Sequence, residues 1–172
     1  MSQAPSVLQG LPPLLDSHTR LVVLGSFPGV ASLRAQQYYG HPQNQFWKIV
    51  TTLLADDARA VGAMSYAERT RWLLRQGVGL WDVYAACERE GSLDASIQNA
   101  QCNDLQSLRI RCPALQAIAH NGGESFKHAK HTRVLGLPVY RLPSTSPAHA
   151  SWSFARKLAA WRAVFQAEGL CC

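Results

Sequence analysis

Leu21–Trp47 reads LVVLGSFPGVASLRAQQYYGHPQNQFW, and the fold turns on how this stretch is parsed. Leu21 to Leu24 form an apolar run that ends in Gly25, the pattern of a short strand buried on both faces of a parallel sheet. Gly25, Pro28 and Gly29 then make a turn. Tyr38, Tyr39, His41-Pro42 and Asn44 follow. After them Phe46-Trp47 open an apolar stripe at helical spacing that continues through Val50, Leu53 and Leu54. Core packing calls for no such density of Gly, Pro, Tyr, Asn and His. The stretch reads as a strand, a pocket-forming loop and a helix.

The same strand-then-loop pattern recurs outward from this stretch. Gly77–Trp81, Leu115–Ala119 and Val139–Leu142 are short apolar runs. They are closed by Asp82, by His120-Asn121-Gly122-Gly123 and by Pro143-Ser144-Thr145-Ser146-Pro147-Ala148-His149. Helical patterns lie between them. One spans 44–55, and one spans 66–76 with Ser65 as N-cap and Glu68 completing a capping box. A helix of about ten residues, capped by Asn103, is expected to stop before Pro113. Another covers 124–131, and a last amphipathic helix starts at Ser151 or Ser153 and ends at Glu168 before Gly169. Residues 1–19 read as a lead-in with one short helix around 11–17. A helical turn is expected near 31–38, a mobile connection at 56–64 and irregular chain at 87–101. Strands alternating with helices predict a parallel sheet with helices on both faces. Ligands in such sheets bind beyond the carboxyl ends of the strands. The loops after the strands are therefore expected to converge on one cleft.

At 172 residues, 47% hydrophobic and 16% charged, the chain (1–172) fits one globular domain and not a disordered segment. No apolar run approaches the roughly 18 residues of a membrane helix. The N-terminus has no basic region ahead of its apolar residues, so no secretory signal is expected and a cytoplasmic monomer is. Five cysteines, an odd number without a CxxC pair, argue against a disulfide framework. Cys87, Cys102 and Cys112 read as buried free thiols, the terminal pair as exposed, and no metal or other cofactor is expected. The net charge of +6 lies in the last 72 residues, which hold nine Lys/Arg against three Asp/Glu. A localised basic surface suits a polyanion, nucleic acid first, and charge alone equally allows a solvated face without a partner.

The loops carry polar groups with two readings each. Asn44 stands before a helix, where a cap needs only a side-chain oxygen, but its amide also suits holding a water or polarising a substrate. Ser144, Thr145 and Ser146 are turn formers or phosphate contacts. His41 and His149 are candidate bases or phosphate contacts. Phe27, Tyr38, Tyr39, Phe46 and Trp47 are core residues, of which one or two can stack on a base. No Ser-His-Asp order, Walker loop or HExxH motif is present, and Asp82 stands alone at its strand end.

Taken together, GSFPG, YYGHPQNQFW, GVGLWDVYAACEREGSLDASI and LPSTSPAHA resemble the uracil-DNA glycosylase superfamily, most of all its hypoxanthine-DNA (deoxyinosine) glycosylase branch. The likeness runs from about Leu21 to Ala150. It implies a three-layer α/β/α sandwich with a central four-stranded parallel sheet. It also implies hydrolysis of the N-glycosidic bond of a deaminated base flipped out of DNA. In many relatives the third residue of the first motif is Asp or Asn and acts on the attacking water, but here it is Phe27. Relatives of this branch rely instead on the asparagine of the N-x-F-W segment, here Asn44. The later motif often begins with His or Asn, which stabilises charge on the departing base. Leu142 holds that place, with His149 as a candidate substitute. An asparagine at the end of the second strand reads the base in relatives, and Asp82 matches it. The resemblance thus assigns catalysis to Asn44 and a base pocket to Gly25, Ser26, Phe27, Pro28, Tyr39, Asp82 and Asn121. DNA contact falls to Ser144, Thr145, Ser146, Pro147, Ala148 and His149.

The expected function is a monofunctional DNA glycosylase of base excision repair acting on duplex DNA with a damaged base. Hypoxanthine is favoured, and uracil or xanthine are also open. A damaged-DNA binding module that has lost catalysis and a free-nucleoside hydrolase are the alternatives. Base release from lesion-bearing duplexes, or its absence, separates them.

Overall fold

The computed structural model describes residues 6–172, so the first five residues of the expected lead-in lie outside the described part. In chain order the elements are β1 (Leu8–Gln9), β2 (Leu21–Gly25), α1 (Val30–Ala35), α2 (Phe46–Leu54), α3 (Ala58–Gly62), α4 (Tyr66–Arg75), β3 (Val78–Asp82), β4 (Tyr84–Glu88) and β5 (Gln98–Cys102). Then follow α5 (Leu108–Arg111), β6 (Ala117–Asn121), α6 (Gly123–Phe126), α7 (Ala129–Arg133), β7 (Val139–Leu142) and α8 (Phe154–Ala167).

Four strands form a parallel sheet in the order β3-β2-β6-β7, as the strand-loop pattern predicts. β2 lies inside it and all five of its residues are buried, which explains why it reads as an unbroken apolar run. Alternate residues go to opposite faces. Leu21 and Val23 pack with Phe46, Trp47 and Ile49 of α2, Trp72 and Leu73 of α4, and Trp161 and Phe165 of α8. Val22 and Leu24 pack with Trp81, Ile118, Leu105, Leu108 and Leu135 on the other face. The result is the three-layer α/β/α sandwich. From β2 the chain moves to β3 on one side, and from β6 to β7 on the other. The crevice between the carboxyl ends of β2 and β6 is therefore the switch point where such sheets bind ligands.

Caps fix several helix starts. Ser65 Oγ accepts the Glu68 N–H at 3.2 Å, so the expected N-cap forms, but Glu68 Oε1 takes the Ser65 hydroxyl at 2.9 Å and not the Ser65 backbone N–H that a full capping box requires. Ser153, not Ser151, caps α8 by accepting the Arg156 N–H. At β3 the lead-in packs so closely that only glycine fits position 79. A Cβ there would lie 2.7 Å from Leu15 Cδ2, 2.8 Å from Thr19 Cγ2 and 3.0 Å from the Leu14 carbonyl. Gly79→Ala is expected to lower stability by about 1–3 kcal/mol, the usual range for overpacking, read as a shifted urea midpoint with unchanged m.

The structure corrects several local expectations. Residues 11–17 are not helical, because Leu14 is bridged to Leu80 through reciprocal backbone hydrogen bonds of 2.9 Å. The connection at 56–64 holds α3, capped by Asp57. Residues 87–101 are irregular only in part: 89–97 form a connection with one 3₁₀ turn, but β4 pairs antiparallel with both β1 and β5 in a second sheet of order β1-β4-β5. Asn103 caps no helix. Its amide donates to the Asp82 carbonyl at 2.8 Å, and a single-turn 3₁₀ segment at 105–107 precedes the short α5. The helix expected at 124–131 is broken into α6 and α7 around Lys127-His128. β6 lies two residues later than read, so His120 and Asn121 belong to the strand. Cys87 and Cys112 are buried as expected, but Cys102 is exposed at the end of β5 and Cys171 is half-buried. No helix of the described residues is long and apolar enough to cross a membrane.

Candidate active site

Beyond the carboxyl ends of the strands lies a cavity of about 330 Å³, at the small end of the range for ligand sites. Its wall brings together every residue singled out in the sequence, from Gly25–Pro28, Tyr39 and Asn44 to Asp82, Asn121 and Ser144–His149. His41 is there too. A larger depression of about 820 Å³ sits at the opposite end of the sheet, lined by Arg20, Arg71, Arg75 and Asp16. It is shallow and open. The smaller cavity has the convergent polar groups and is the better candidate.

The floor comes from the turn after β2. Among the described residues, the N–H groups of Ser26 and Phe27 donate to no other group, so they are free for a ligand oxygen. Phe27 is only 6% exposed. Its ring belongs to the core on one side and lines the cavity on the other. Arg89, just after β4, supports it. The guanidinium lies 5.2 Å over the Phe27 ring, Nη2 donates to the Pro28 carbonyl and Nε to the Gly91 carbonyl.

The connection between β4 and β5 closes one wall, and it is the part the sequence reading left without site residues. Ser92 Oγ accepts the Val30 N–H at 2.9 Å, and the Ser26 hydroxyl donates to Asp94 Oδ1 at 2.6 Å. The run Arg89-Glu90-Gly91-Ser92-Leu93-Asp94 did carry the signal, being rich in turn formers between two strands.

Asn44 sits half-buried at the start of α2. Its Oδ1 accepts the Phe46 N–H at 3.0 Å, so it caps the helix from one residue before the formal N-cap, Gln45. That bond fixes which amide atom is oxygen and takes one of its lone pairs. The other lone pair and Nδ2 are left to the cavity. The cap and a catalytic role are thus compatible in one side chain.

The Ser144–His149 loop is held in place from inside. Asn121 Oδ1 accepts the Thr145 N–H at 3.1 Å, and Asn121 Nδ2 donates to Thr145 Oγ1 at 3.0 Å and the Tyr39 hydroxyl at 3.2 Å. The Thr145 carbonyl accepts the Gln45 N–H, which ties this loop to the residue beside Asn44. Thr145 is buried, so it braces the loop and does not offer its side chain outward. Ser144 and Ser146 accept the N–H groups of Ser146 and Ala148, which leaves their hydroxyl hydrogens free to donate. Lys157, buried in α8, donates to the His149 carbonyl at 2.7 Å. His149 itself lies 6.1 Å from the Trp152 ring, and its buried Nδ1 has no partner among the described residues.

Tyr39 adopts a left-handed backbone (φ 55), rare for an aromatic residue, and its ring stacks 4.2 Å from Phe46. The turn aims its hydroxyl at the cavity floor. Asp82 reaches the same place from the end of β3. Burial and the charge of Asp94 push its carboxyl up to about 7, while Arg89 acts in the opposite sense. One cation borders the cavity: Arg141 approaches Gly123 of its wall, and Arg133 and Arg141 lie 5.4 and 5.5 Å from the Phe126 ring. Exposed Lys127 and Lys130 extend this surface, and Arg156 stacks 3.6 Å from Trp152. Among the described residues no group of three or more His, Cys, Asp or Glu side chains is placed to hold a metal ion.

The sequence model of the Uracil DNA glycosylase superfamily matches residues 12–166. The chain is similar to a hypoxanthine DNA glycosylase of Methanosarcina barkeri, with 35% identity over 92% of this chain and 98% of the relative. A hypoxanthine DNA glycosylase of Methanosarcina acetivorans is 36% identical over 93% of this chain and 99% of the relative. A solution NMR structure of a uracil DNA glycosylase candidate from Methanosarcina acetivorans matches with a TM-score of 0.84 at 35% identity, covering 95% of this chain and 99% of that one. The chain belongs to the uracil DNA glycosylase superfamily and is a DNA glycosylase.

Proposed function

We propose that this enzyme is a monofunctional glycosylase of base excision repair, acting as a cytoplasmic monomer without a cofactor. It hydrolyses the N-glycosidic bond of a deaminated base flipped out of duplex DNA, with hypoxanthine the favoured base and uracil or xanthine also accepted. The observation that carries the reading is one small cavity that holds the Asn44 amide, a face of Phe27 and the free N–H groups of Ser26 and Phe27. The similarity to relatives named hypoxanthine DNA glycosylase supports the choice of base.

In this mechanism the flipped base lies on Phe27, with a carbonyl oxygen on the Ser26 and Phe27 N–H groups. The C1′–N bond breaks through a transition state with positive charge on the sugar and negative charge on the base. Preformed donors at the oxygen stabilise that charge, each typically contributing on the order of 3 kcal/mol. Asn44 Oδ1 accepts one O–H of a water and turns its oxygen toward C1′. An amide is a weak base, but departure ahead of attack leaves little proton to abstract. Water oxygen joins C1′, the bonding pair leaves with the base, and the base takes up a proton. Ser144, Ser146, Ala148 and His149 press on the phosphates. Arg141 beside the cavity wall and the net charge of +6 favour a DNA strand over a free nucleoside.

A panel of duplexes carrying inosine, uracil or xanthine tests the substrate range. Release of free base is expected, fastest from inosine. Release from none of them, with tight binding retained, would favour a recognition module.

A further inference from the structure

The carboxyl of Asp82 is the polar group at the site that the mechanism above leaves unused. Asp82 is 5% exposed and lines the cavity. Its Oδ2 is buried with no hydrogen-bond partner among the described residues. The carboxyl leans across Gly25, so close that a Cβ there would meet Oδ1 at 2.4 Å, and the Tyr39 hydroxyl borders the same space. Oδ1 therefore borders the cavity floor over Gly25, the residue that precedes Ser26 and Phe27. An ionised carboxylate placed here would face a base oxygen with acceptors only and would sit buried without a donor, which is strongly unfavourable. A neutral acid has the opposite character, because it brings an O–H to the base.

We propose that Asp82 works as the neutral acid, and that its carboxyl O–H donates to a carbonyl oxygen of the bound base and stabilises the charge this base takes on as the C1′–N bond breaks. This rests on the glycosylase reading of the site. It also supplies, from the opposite edge of the sheet, a donor that Leu142, an apolar side chain at the end of β7, cannot. The substrate class follows: a base that presents a carbonyl oxygen to the floor, as hypoxanthine, uracil and xanthine do. The oxygen then has three donors, two from backbone and one from a side chain.

The groups facing Asp82 are consistent with a neutral state. Asp94, from the β4–β5 connection, disfavours ionisation, and so does burial. Arg89, after β4, favours ionisation, but its Nε and Nη2 go to the Gly91 and Pro28 carbonyls, and its buried Nη1 has no partner among the described residues, Asp82 included. Tyr38 and Tyr39, from the loop before α2, stay protonated because burial and Asp82 both raise them. His41 and His149 line the same cavity from the rim. With its carboxyl pushed up to about 7, Asp82 is mostly neutral below that pH and loses its proton above it. The donor is lost in the same direction.

The test is the pH profile of base release from an inosine duplex in single turnover, with enzyme in excess. The wild-type rate is expected to fall about tenfold per pH unit above neutrality, as for one essential acid. Asp82→Asn keeps an N–H donor at every pH. It is expected to stay within about tenfold of wild type at pH 6 and to change less than about threefold between pH 7 and pH 9. An Asp82→Asn variant with the same alkaline fall as wild type overturns the proposal, and so does one more than about a hundredfold slower at pH 6 with a native circular dichroism spectrum. Carbon-13 NMR of the Asp82 carboxyl in the wild type gives a separate reading. Titration near neutrality supports the proposal, and a carboxylate fully ionised at pH 5 overturns it. A wild type that releases no base at any pH sinks the glycosylase reading instead, while the titration still decides the state of Asp82.

Discussion

Asn44→Ala is expected to release base at least about a hundredfold more slowly than the wild type while still binding lesion-bearing duplex, the usual scale for losing a group that handles the reacting proton. The side chain touches neither the predicted base stack nor the phosphate loop, so ground-state binding has little reason to change. It does cap α2 through the Phe46 N–H. Loss of such a cap costs about 1 kcal/mol, which moves Tm by about 2–4 °C in a protein of this size. That is too small to unfold the enzyme at assay temperature. Asn44→Asp separates the two roles. Its carboxylate still accepts the Phe46 N–H and still accepts from water, so both stability and rate are expected to lie close to wild type. If Asn44→Ala and wild type release base at equal rates, Asn44 is a helix cap and nothing more.

Gly25→Ala is expected to cost on the order of a hundredfold in rate, the penalty typical of displacing a reacting group by about 1 Å. The added methyl would lie 2.4 Å from Asp82 Oδ1 and 3.3 Å from the Tyr39 hydroxyl. Contacts that short are not tolerated, so Asp82 must swing away and the cavity floor must rise. The backbone of β2 stays put, because Leu21–Leu24 are paired on both sides and buried. Thermal stability and DNA binding measured on undamaged duplex should therefore change little, and base release should collapse. Unaltered kinetics would show that the base does not enter over Gly25.

The parallel sheet was legible because its strands are buried on both faces and leave no polar alternation, as in Leu21–Leu24. The cleft was legible for a related reason: Gly, Pro, Asn and Asp at strand ends serve no packing purpose. The antiparallel sheet was not. β5 reads QNAQC and all five of its residues are exposed, so it holds its place by backbone pairing with β4 and carries no apolar signature. The lead-in misled in the opposite way, since Leu11, Leu14 and Leu15 have helical spacing but are used to cover the β3 edge of the sheet. In the site, sequence could name Asn121 but not its work. Only the folded chain shows both of its amide atoms spent on Thr145 and Tyr39, which makes it a brace for the Ser144–His149 loop rather than a reader of the base. The run from Arg89 to Asp94 shows its turn formers in the sequence but not the work of its ends, since the effect of Asp94 on Asp82 and of Arg89 on Phe27 depends on how β4 and β5 pair.

The central claim is that this cavity hydrolyses a glycosidic bond in DNA, and single-turnover release from a duplex with one inosine tests it most directly. Free hypoxanthine is expected to appear at the rate at which alkali-labile sites form, with the strand intact until alkali is added, and Asn44→Ala should slow both together. Wild-type enzyme that yields no free hypoxanthine, or that cuts the strand without alkali, would contradict the account.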